Sequence, residues 1–294
     1  MKNEKNMDRR EFLRRAGALA GGLFLAPLAG GEASGGEWES GSVNFWENGT
    51  FRQTGVDASG EEAGSIRARL QGQWKSFDTV ELPDSFMEWN TSERLRMLEN
   101  LKLMVTNEGG SPPSLAGPHN AALATWGGRR KDSKTLINNA FKGMGLCPRR
   151  DIIAGLVEHM ESTMGDPMPR KLDYLIDLYS DISNFDRKKL VSLELYATPD
   201  FETHTYLNLM EHPEASAVFL DRTSFEVRGI GQLISPDDNE TAEYLRRILS
   251  YTNLAHSYFH GDFTRTFPCI ILHVVEVFDN SPGTGRGVRI APEL

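Results

Sequence analysis

The sequence predicts an α+β protein in which a mostly helical region precedes a β-rich C-terminal part. Two observations support this prediction. Between residues 80 and 183, apolar side chains recur every three or four positions, as they do in a helix with one buried face. After Arg187 apolar and polar side chains alternate, which is typical of a strand with one buried face.

The N-terminal 33 residues are predicted to be an export signal. Arg9 and Arg10 precede Phe12 and Leu13, and a mildly apolar stretch rich in glycine and alanine follows. This pattern is typical of a twin-arginine signal, with a small-residue cleavage site after Ala33. The apolar stretch is shorter than the roughly 20 residues that a membrane-spanning helix needs, so no membrane anchor is predicted. Because proteins on this route fold before export, often around a cofactor, we expect a periplasmic, cofactor-bearing protein.

The charge of the chain argues against nucleic acid as a partner. The formal net charge is −9, and residues 1–33 hold six Lys/Arg and four Asp/Glu, so the remaining chain is near −11. Such an acidic chain repels nucleic acid and anionic lipid unless its basic residues cluster. The one dense basic run, "GGRRKDSK" at 127–134, is interpreted as a solvated loop.

The two cysteines, Cys147 and Cys269, form neither a CxxC motif nor a disulfide framework. They could pair with each other in an oxidising compartment. Both stand among apolar residues, which favours two separately buried thiols.

Residues 34–79 are rich in glycine, serine and glutamate and are predicted to be a flexible segment. One stretch inside it, "VNFWENGTFRQTG", contains Asn48-Gly49 between aromatic residues. Asn-Gly is a strong hairpin signal because both residues tolerate a positive φ. A strand pair over residues 43–56 is therefore possible.

The region 80–183 contains three predicted helices. The first carries a capping-box pattern at Asn90 and Glu93, and it is ended by the glycines and prolines of residues 108–118. The second and third each follow a proline, Pro148 and Pro169, at a probable first helical position. Their apolar residues recur along one face of each helix.

The region 184–294 is predicted to contain a strand, a short helix, two strands, a long helix and a last strand. The segments are "KLVSLELYAT", "THTYLNLMEHP", "ASAVFLD", "SFEVRGIGQLI", "DDNETAEYLRRILSYTNLAHSYFHG" and "PCIILHVVEVFD". Gly229 and Gly231 interrupt one of the strands, which indicates a bend or a close approach of the backbone.

This order resembles the FMN-binding split-barrel family typified by pyridoxamine 5′-phosphate oxidase. The features that match are a strand ending in Thr198, the loop 199–205, a short helix that ends in the turn from Asn208 to Pro213, a buried strand from Ala215 to Leu220, and Val227 with Gly229. The resemblance covers about residues 190–280. It implies a split β-barrel with short connector helices, bound FMN, and a homodimer with the cofactor between the subunits.

The resemblance also assigns the residues around the flavin phosphate, which are Thr198, Thr203, His204 and Thr205. A dianionic phosphate needs charged forks, hydroxyls and backbone N–H donors. Family members place Arg-Lys in this loop, whereas this chain has His-Thr, so less fixed charge is available unless Arg222, Arg228 or an arginine of another chain contributes. No catalytic residue is predicted.

Two functions from different classes follow from these observations. The first is an exported, FMN-dependent oxidoreductase that acts on a small molecule, since flavin itself performs the redox chemistry. The second is a degenerate split barrel that has lost flavin and binds a ligand or a partner. The missing Arg-Lys pair favours the second function, and the export signal favours the first.

A metal site is a distant third possibility. His256 and His260 lie one helical turn apart in "HSYFHGD", a spacing that can bind a divalent metal. There is no HExxH motif and no evident third ligand, so a polar helix end is preferred and no metal is predicted. The nearby aromatic residues Tyr251, Tyr258, Phe259 and Phe263 are interpreted as core, with a wall for a planar ring as the alternative.

Overall fold

A computed structural model describes residues 44–283 and 285–293. The predicted twin-arginine signal and its cleavage site lie outside these ranges. Within them, no helix combines the length and the apolar character that crossing a membrane requires.

The described residues form ten strands, five α-helices and two short 3-10 helices. The strands are β1 Val56–Asp57, β2 Ser65–Leu70, β3 Gln73–Asp78, β4 Asn120–Trp126, β5 Ile137–Pro148, β6 Phe185–Leu193, β7 Glu214–Phe219, β8 Phe225–Ile234, β9 Cys269–Asp279 and β10 Val288–Ala291. The helices are α1 Asp84–Val105, α2 Ile153–Ser162, α3 Met168–Ser180, α4 His204–Glu211 and α5 Glu243–His260, with 3-10 turns at Glu61–Ala63 and Ile182–Asn184.

Six of these strands close into an antiparallel barrel. The order is β9-β6-β5-β4-β7-β8, and β8 pairs with β9 to complete the circle. Strand β10 is added to the other side of β9, and β1, β2 and β3 form a separate small sheet. Closure gives each of the six strands a neighbour on both sides, so the barrel has no terminal edge strand that could serve as a template for aggregation. The predicted α+β class with a split barrel is confirmed.

The C-terminal order of elements is also confirmed. β6, α4, β7, β8, α5 and β9 follow one another as the alternation and the turn signals predicted. Helix α5 begins at Glu243, inside the segment predicted for it, and ends before Gly261, whose φ is +81°. A positive φ suits glycine because it has no Cβ.

The region 80–183 is less helical than predicted. Helices α1, α2 and α3 lie there, but so do β4 and β5, two full strands of the barrel. The apolar residues of β4 are mostly alanines, which favour helices, and one face of β5 is exposed, so neither strand has a strong pattern. Pro148 ends β5 instead of starting α2, whereas Pro169 does stand in the first turn of α3.

The barrel interior and the helices share one hydrophobic core. Helix α1 lies across one end of the barrel, where the ring of Phe86 contacts Phe219 and Phe225 with centroid distances of 5.4 and 5.3 Å. These edge-to-face contacts add to the free energy of burial. Cys147 and Cys269 are both buried and free, as predicted, and burial raises the pKa of Cys269 to about 12.

The segment before β1 packs onto the barrel without adding a strand to it. Asn48 and Gly49 both have positive φ, and Glu47 pairs with Thr50, so the predicted Asn-Gly turn is confirmed as a short turn. The segment 34–79 was expected to be flexible, yet residues 56–78 form the small sheet. The side-chain amide of Gln53 binds the backbone of α4 at Leu209 O (2.7 Å) and the backbone of β8 at Gly231 O and Leu233 N.

Strand β8 contains the close backbone approach that its glycines predicted. The register of β8 and β9 shifts between Arg228 and Gly229. A Cβ on Gly229 would lie 1.9 Å from the carbonyl oxygen of His273, so no other residue fits there without moving the strand. On Gly231 a Cβ would lie 2.7 Å from Leu209, in α4.

Candidate functional site

The first turn of α4 holds three of the four predicted phosphate-binding residues. Thr203 is the N-cap of the helix, and its hydroxyl accepts a hydrogen bond from the backbone N–H of Tyr206 at 3.1 Å. This satisfies one of the N–H groups that a helix leaves unpaired at its start. Thr198 lies apart from α4, in a turn where it exchanges backbone hydrogen bonds with Phe201.

His204 faces a carboxylate from the loop after β4. Its Nε2 lies 3.1 Å from Asp132 Oδ1. Burial and the charge of Arg130 lower the pKa of His204 and outweigh the opposite effect of Asp132. The imidazole is therefore neutral at neutral pH and donates an N–H to the carboxylate. Arg130 donates two hydrogen bonds to the same carboxylate, at 3.1 and 2.5 Å.

Thr205 belongs to a buried polar network between α4 and the barrel. Asn138 donates its amide to Thr205 Oγ1 at 3.1 Å and to Thr125 Oγ1 at 3.3 Å. Asn208 donates to Thr125 at 3.1 Å. These bonds join α4 to β4 and β5, so Thr205 positions the helix. Its buried hydroxyl is directed to Asn138 instead of a solvent-facing ligand.

Two arginines of the 127–134 loop lie against α4, although the sequence analysis interpreted this run as a solvated loop. Arg130 is only 12% exposed and donates to the carbonyl oxygen of Glu202 at 3.0 Å, while Arg129 binds Glu211 at 3.1 Å. The basic run itself was visible in the sequence. Its contact with α4, more than 70 residues away, was not.

The first turn of α4, together with Arg130 and Asp132 beside it, is called the α4 site. As arranged, this site does not fit a flavin phosphate. Its arginine, Arg130, is held by the Asp132 carboxylate, which also accepts a hydrogen bond from His204. Hydrogen bonds and charge from Arg130 lower the pKa of Asp132, so it is ionised at neutral pH. A dianion would meet this negative group unless Asp132 moved away.

A cavity lies on the outer wall of the barrel, beside the small sheet. Its volume is about 520 Å³, and we call it the groove. It is lined by Phe77, Ala124, Thr125, Trp126, Ile137, Glu214, Ala215, Ser216, Arg228, Gly229, Ile230, Val275 and Glu276. Its volume is in the range of small-molecule sites, and its lining combines apolar side chains with a few polar ones.

Arg228 of the groove wall is paired with Glu226, which lies beside the groove. Arg228 donates to both oxygens of Glu226 at 2.7 and 3.2 Å, and Ser216 donates to Glu226 at 2.7 Å. Burial raises the pKa of Glu226, but the hydrogen bonds from Arg228 and Ser216 outweigh burial and lower it. Arg228, which the sequence offered as a replacement phosphate ligand, is therefore already bound to a carboxylate.

One aromatic pair connects the groove with α4. Trp126 lines the groove and stacks on His212, just after α4, with ring centroids 3.9 Å apart and planes 8° from parallel. The stack covers one face of the indole ring and holds Trp126 as part of the groove wall.

His256 and His260 lie together, with ring centroids 4.5 Å apart. Burial lowers the pKa of His256 to about 4. Among the residues that the structure describes, no group of three or more His, Cys, Asp or Glu is placed to hold a metal ion. Tyr251 and Tyr258 are buried in the core, as the packing interpretation predicted.

Comparison with known proteins leaves the function open. No protein-family model matches the chain, and no curated protein matches it either. Among solved structures, HupZ of Group A Streptococcus matches 58% of this chain and 92% of its own, with 15% identity and a TM-score of 0.32. The protein Atu2129 of Agrobacterium tumefaciens, described as of unknown function, matches 58% of this chain and 55% of its own, with 14% identity and a TM-score of 0.30. Similarity at this level carries no argument about function, and the fold class rests on the strand topology.

Proposed function

We propose that the protein is a split-barrel ligand-binding protein that holds a small, largely planar organic molecule in the groove. The observation that supports this proposal is the groove itself, a cavity of about 520 Å³ against the barrel wall. Its floor includes the small residues Ala124 and Gly229, and Phe77 and Trp126 provide aromatic surface. A flat wall with aromatic neighbours suits a planar ring, which stacks on such surfaces.

A flavin is the first ligand to test. Residues 190–280 resemble the FMN-binding split-barrel family, and the isoalloxazine ring is planar. If flavin binds, it would supply electron transfer to or from a small-molecule substrate, and the protein would act as an oxidoreductase. The residues of this chain would hold the ring and exclude water from one of its faces.

The arrangement of the α4 site leads to a specific expectation for the affinities of FMN and riboflavin. Because Asp132 neutralises Arg130 and binds His204, the phosphate of FMN should contribute little to affinity. We therefore expect riboflavin and FMN to bind within about tenfold of each other, which corresponds to less than about 1.4 kcal/mol. FMN that binds a hundredfold more tightly would mean that the α4 site rearranges around the phosphate.

The same arrangement favours a second candidate function, in which the barrel binds either a partner or a ligand that is not a flavin. In this case the charged residues of the α4 site are structural, and they hold the 127–134 loop against the helix. The protein would then contain no flavin when purified and would not take up added flavin.

The deciding experiment starts with an absorption spectrum of protein purified without added cofactor. The protein is then denatured, and the released molecule is identified by chromatography. Titration with FMN and riboflavin follows, on the unaltered chain and on Ala124→Phe, which fills the groove. Ala122→Phe is the matched control, since Ala122 lies on the same strand but does not line the groove. Equal binding by the unaltered chain and Ala124→Phe would contradict the proposed site.

We also propose that the protein forms a homodimer through the outer face of β5. Ile137 and Phe141 lie on the exposed face of β5 and are 72% and 51% exposed, and Leu136, just before the strand, is 55% exposed. Exposed apolar surface beyond single scattered side chains marks interaction sites.

Export by the twin-arginine route to the periplasm is proposed from the sequence alone. Replacing Arg9 and Arg10 by lysine should keep the protein in the cytoplasm, which cell fractionation would show. The matched control replaces Arg14 and Arg15, which have the same charge but lie outside the twin-arginine position. Export that survives the first change would contradict this proposal.

A further inference from the structure

A second cavity, separate from the groove, lies between the barrel and the start of α5. Its volume is about 190 Å³, and we call it the polar cavity. It is lined by Glu61, Glu62, Thr79, Arg150, Asp186, Lys188, Lys189, Tyr244 and His273. None of these residues lines the groove.

Two buried polar groups of this cavity have no hydrogen-bond partner within the described residues. These groups are the hydroxyl of Thr79 and the Nδ1 of His273. Thr79 is 8% exposed and His273 is fully buried. Buried polar atoms are nearly always satisfied, so each unpaired group indicates a missing partner.

The state of His273 shows which kind of partner is missing. Its Nε2 lies 2.9 Å from Gln232 Oε1, and with the amide in this orientation Nε2 carries the proton. Burial, together with the charge of Lys189, lowers the pKa of His273 to about 3, so the ring is neutral. The unpaired Nδ1 is consequently an acceptor that lacks an N–H or O–H donor.

The acidic residues around the cavity are already paired with cations. Lys189 lies 2.7 Å from Glu61 and 2.5 Å from Asp186, both of which are partly or largely buried. Burial lowers the pKa of Lys189, but Asp186 and Glu61 outweigh burial and raise it, so Lys189 stays charged.

One of the cations that line the cavity, Lys188, has no ion-pair partner among the described residues. Arg150 lies 3.1 Å from Glu62, and its guanidinium stacks 3.8 Å above the ring of Tyr244. Lys188 also lines the cavity, and the ion pairs found among the described residues do not include it. The cavity thus combines a cation that lacks an anion with an acceptor that lacks a donor.

We propose that the polar cavity binds a small hydroxycarboxylate. Its carboxylate would face Lys188, with Arg150 at the rim, and its hydroxyl would donate to His273 Nδ1. The Thr79 hydroxyl can donate to the carboxylate or to the hydroxyl oxygen of the ligand, and it can accept only from the ligand hydroxyl. The cavity volume of about 190 Å³ accommodates a molecule of the size of lactate or glycerate.

Isothermal titration of the full chain with lactate and glycerate tests the proposal. Propionate is the matched probe without the hydroxyl, and lactamide is the matched probe without the charge. We expect saturable one-to-one binding of a hydroxycarboxylate and at least tenfold weaker binding of both matched probes. Tenfold is the effect expected for one hydrogen bond between a ligand and a buried group.

Two variants separate binding from structure. Lys188→Met should weaken hydroxycarboxylate binding at least tenfold, and Thr79→Val, which keeps the shape of the side chain, should weaken it several-fold. Lys75→Met is the matched control on the exposed side of β3, and it should bind as the unaltered chain does. Circular dichroism verifies that each variant is folded.

Three results would overturn the proposal. Absence of hydroxycarboxylate binding would mean that water alone satisfies Thr79 and His273. Equal binding of propionate would exclude a role for His273 as an acceptor. Unchanged binding by Lys188→Met would place the ligand elsewhere on the molecule.

Discussion

Lys142 Nζ lies 2.6 Å from Glu194 Oε2, and the side chain of Glu194 is completely buried. The pair connects β5 with the residue that follows β6. The second carboxylate oxygen, Oε1, has no hydrogen-bond partner in the described residues, so Lys142 is the main compensation for burying this charge. A charge taken out of water without such compensation is strongly unfavourable.

Replacing Lys142 by methionine should therefore destabilise the fold. We expect the free energy of unfolding to fall by about 3–5 kcal/mol, the usual cost of leaving a buried charge unpaired. Urea unfolding measures the change, and adding Glu194→Gln to the variant should restore part of the loss. The control is Lys102→Met, which removes the exposed pair with Asp173 and should leave the unfolding midpoint nearly unchanged. Equal effects of the two lysine changes would contradict this account of Glu194.

Replacing Asp132 by asparagine should convert the α4 site into a better anion site. Arg130 and His204 would lose their shared carboxylate, and a negative group would be removed from the start of the helix. We expect inorganic phosphate to bind about tenfold more tightly, as measured by titration calorimetry. Asp200→Asn makes the same charge change in the neighbouring loop and should have a much smaller effect. If both variants bind phosphate equally, Asp132 does not block the site.

Several buried histidines should make the protein sensitive to mild acid. Burial lowers the pKa of His119 and His256 to about 4, and burial with Lys189 lowers that of His273 to about 3. In the unfolded chain these groups titrate near ~6.5, so between pH 6.5 and 4 the unfolded state binds more protons. Stability therefore falls as the pH falls through this window.

The size of this effect can be estimated and measured. At about 1.4 kcal/mol for each unit of pKa difference, the free energy of unfolding should drop by about 2–5 kcal/mol from pH 7 to pH 5. Urea unfolding at both values gives the difference. A His256→Gln variant should show a flatter dependence on pH, and a stability that rises on acidification would show that these histidines are charged in the folded state.

Replacing Gly229 by alanine should disrupt the contact between β8 and β9. The added Cβ would lie 1.9 Å from the backbone oxygen of His273, which cannot move without shifting the strand that closes the barrel. We expect a loss of at least about 3 kcal/mol, at the upper end of overpacking effects. Gly165→Ala is the control, since nothing lies within 4 Å of a Cβ there. Thermal unfolding compares the two, and a similar Tm for both would rule out the close approach.

Replacing Phe141 by glutamate should separate the proposed dimer. The change places a charge on the exposed face of β5, where it costs little in the monomer and much in an apolar interface. Sedimentation velocity should show half the mass of the unaltered chain. Lys75→Glu, on the exposed β3, is the control for a new negative charge. An unaltered chain that is itself monomeric would remove the basis of this prediction.

The C-terminal elements could be predicted because each had a strong local signal. Strands β6, β8 and β9 contain enough apolar residues to be recognised as buried strands, and α5 ends at a glycine. Strand β4 was missed because a run of small alanines fits a helix as well as a strand. Local pattern cannot distinguish the two when the pairing partners are remote.

The residues of the candidate site were predicted only through the family resemblance. The structure places one of them, Thr203, at the N-cap of α4. The contacts of Arg129 and Arg130 with α4 and its preceding loop depend on tertiary folding, and so do the unpaired groups of Thr79 and His273. No sequence spacing connects those residues, because each pair comes from elements far apart in the chain.

The amide of Gln53 has a consequence for the order in which the chain folds. All three of its backbone partners lie more than 150 residues later in the sequence. During synthesis this segment leaves the ribosome long before α4 and β8 exist, and closing so long a loop is slow. The segment around Gln53 can therefore reach its final position only after α4 and β8 have been made, although it is among the first of the described residues to be synthesised.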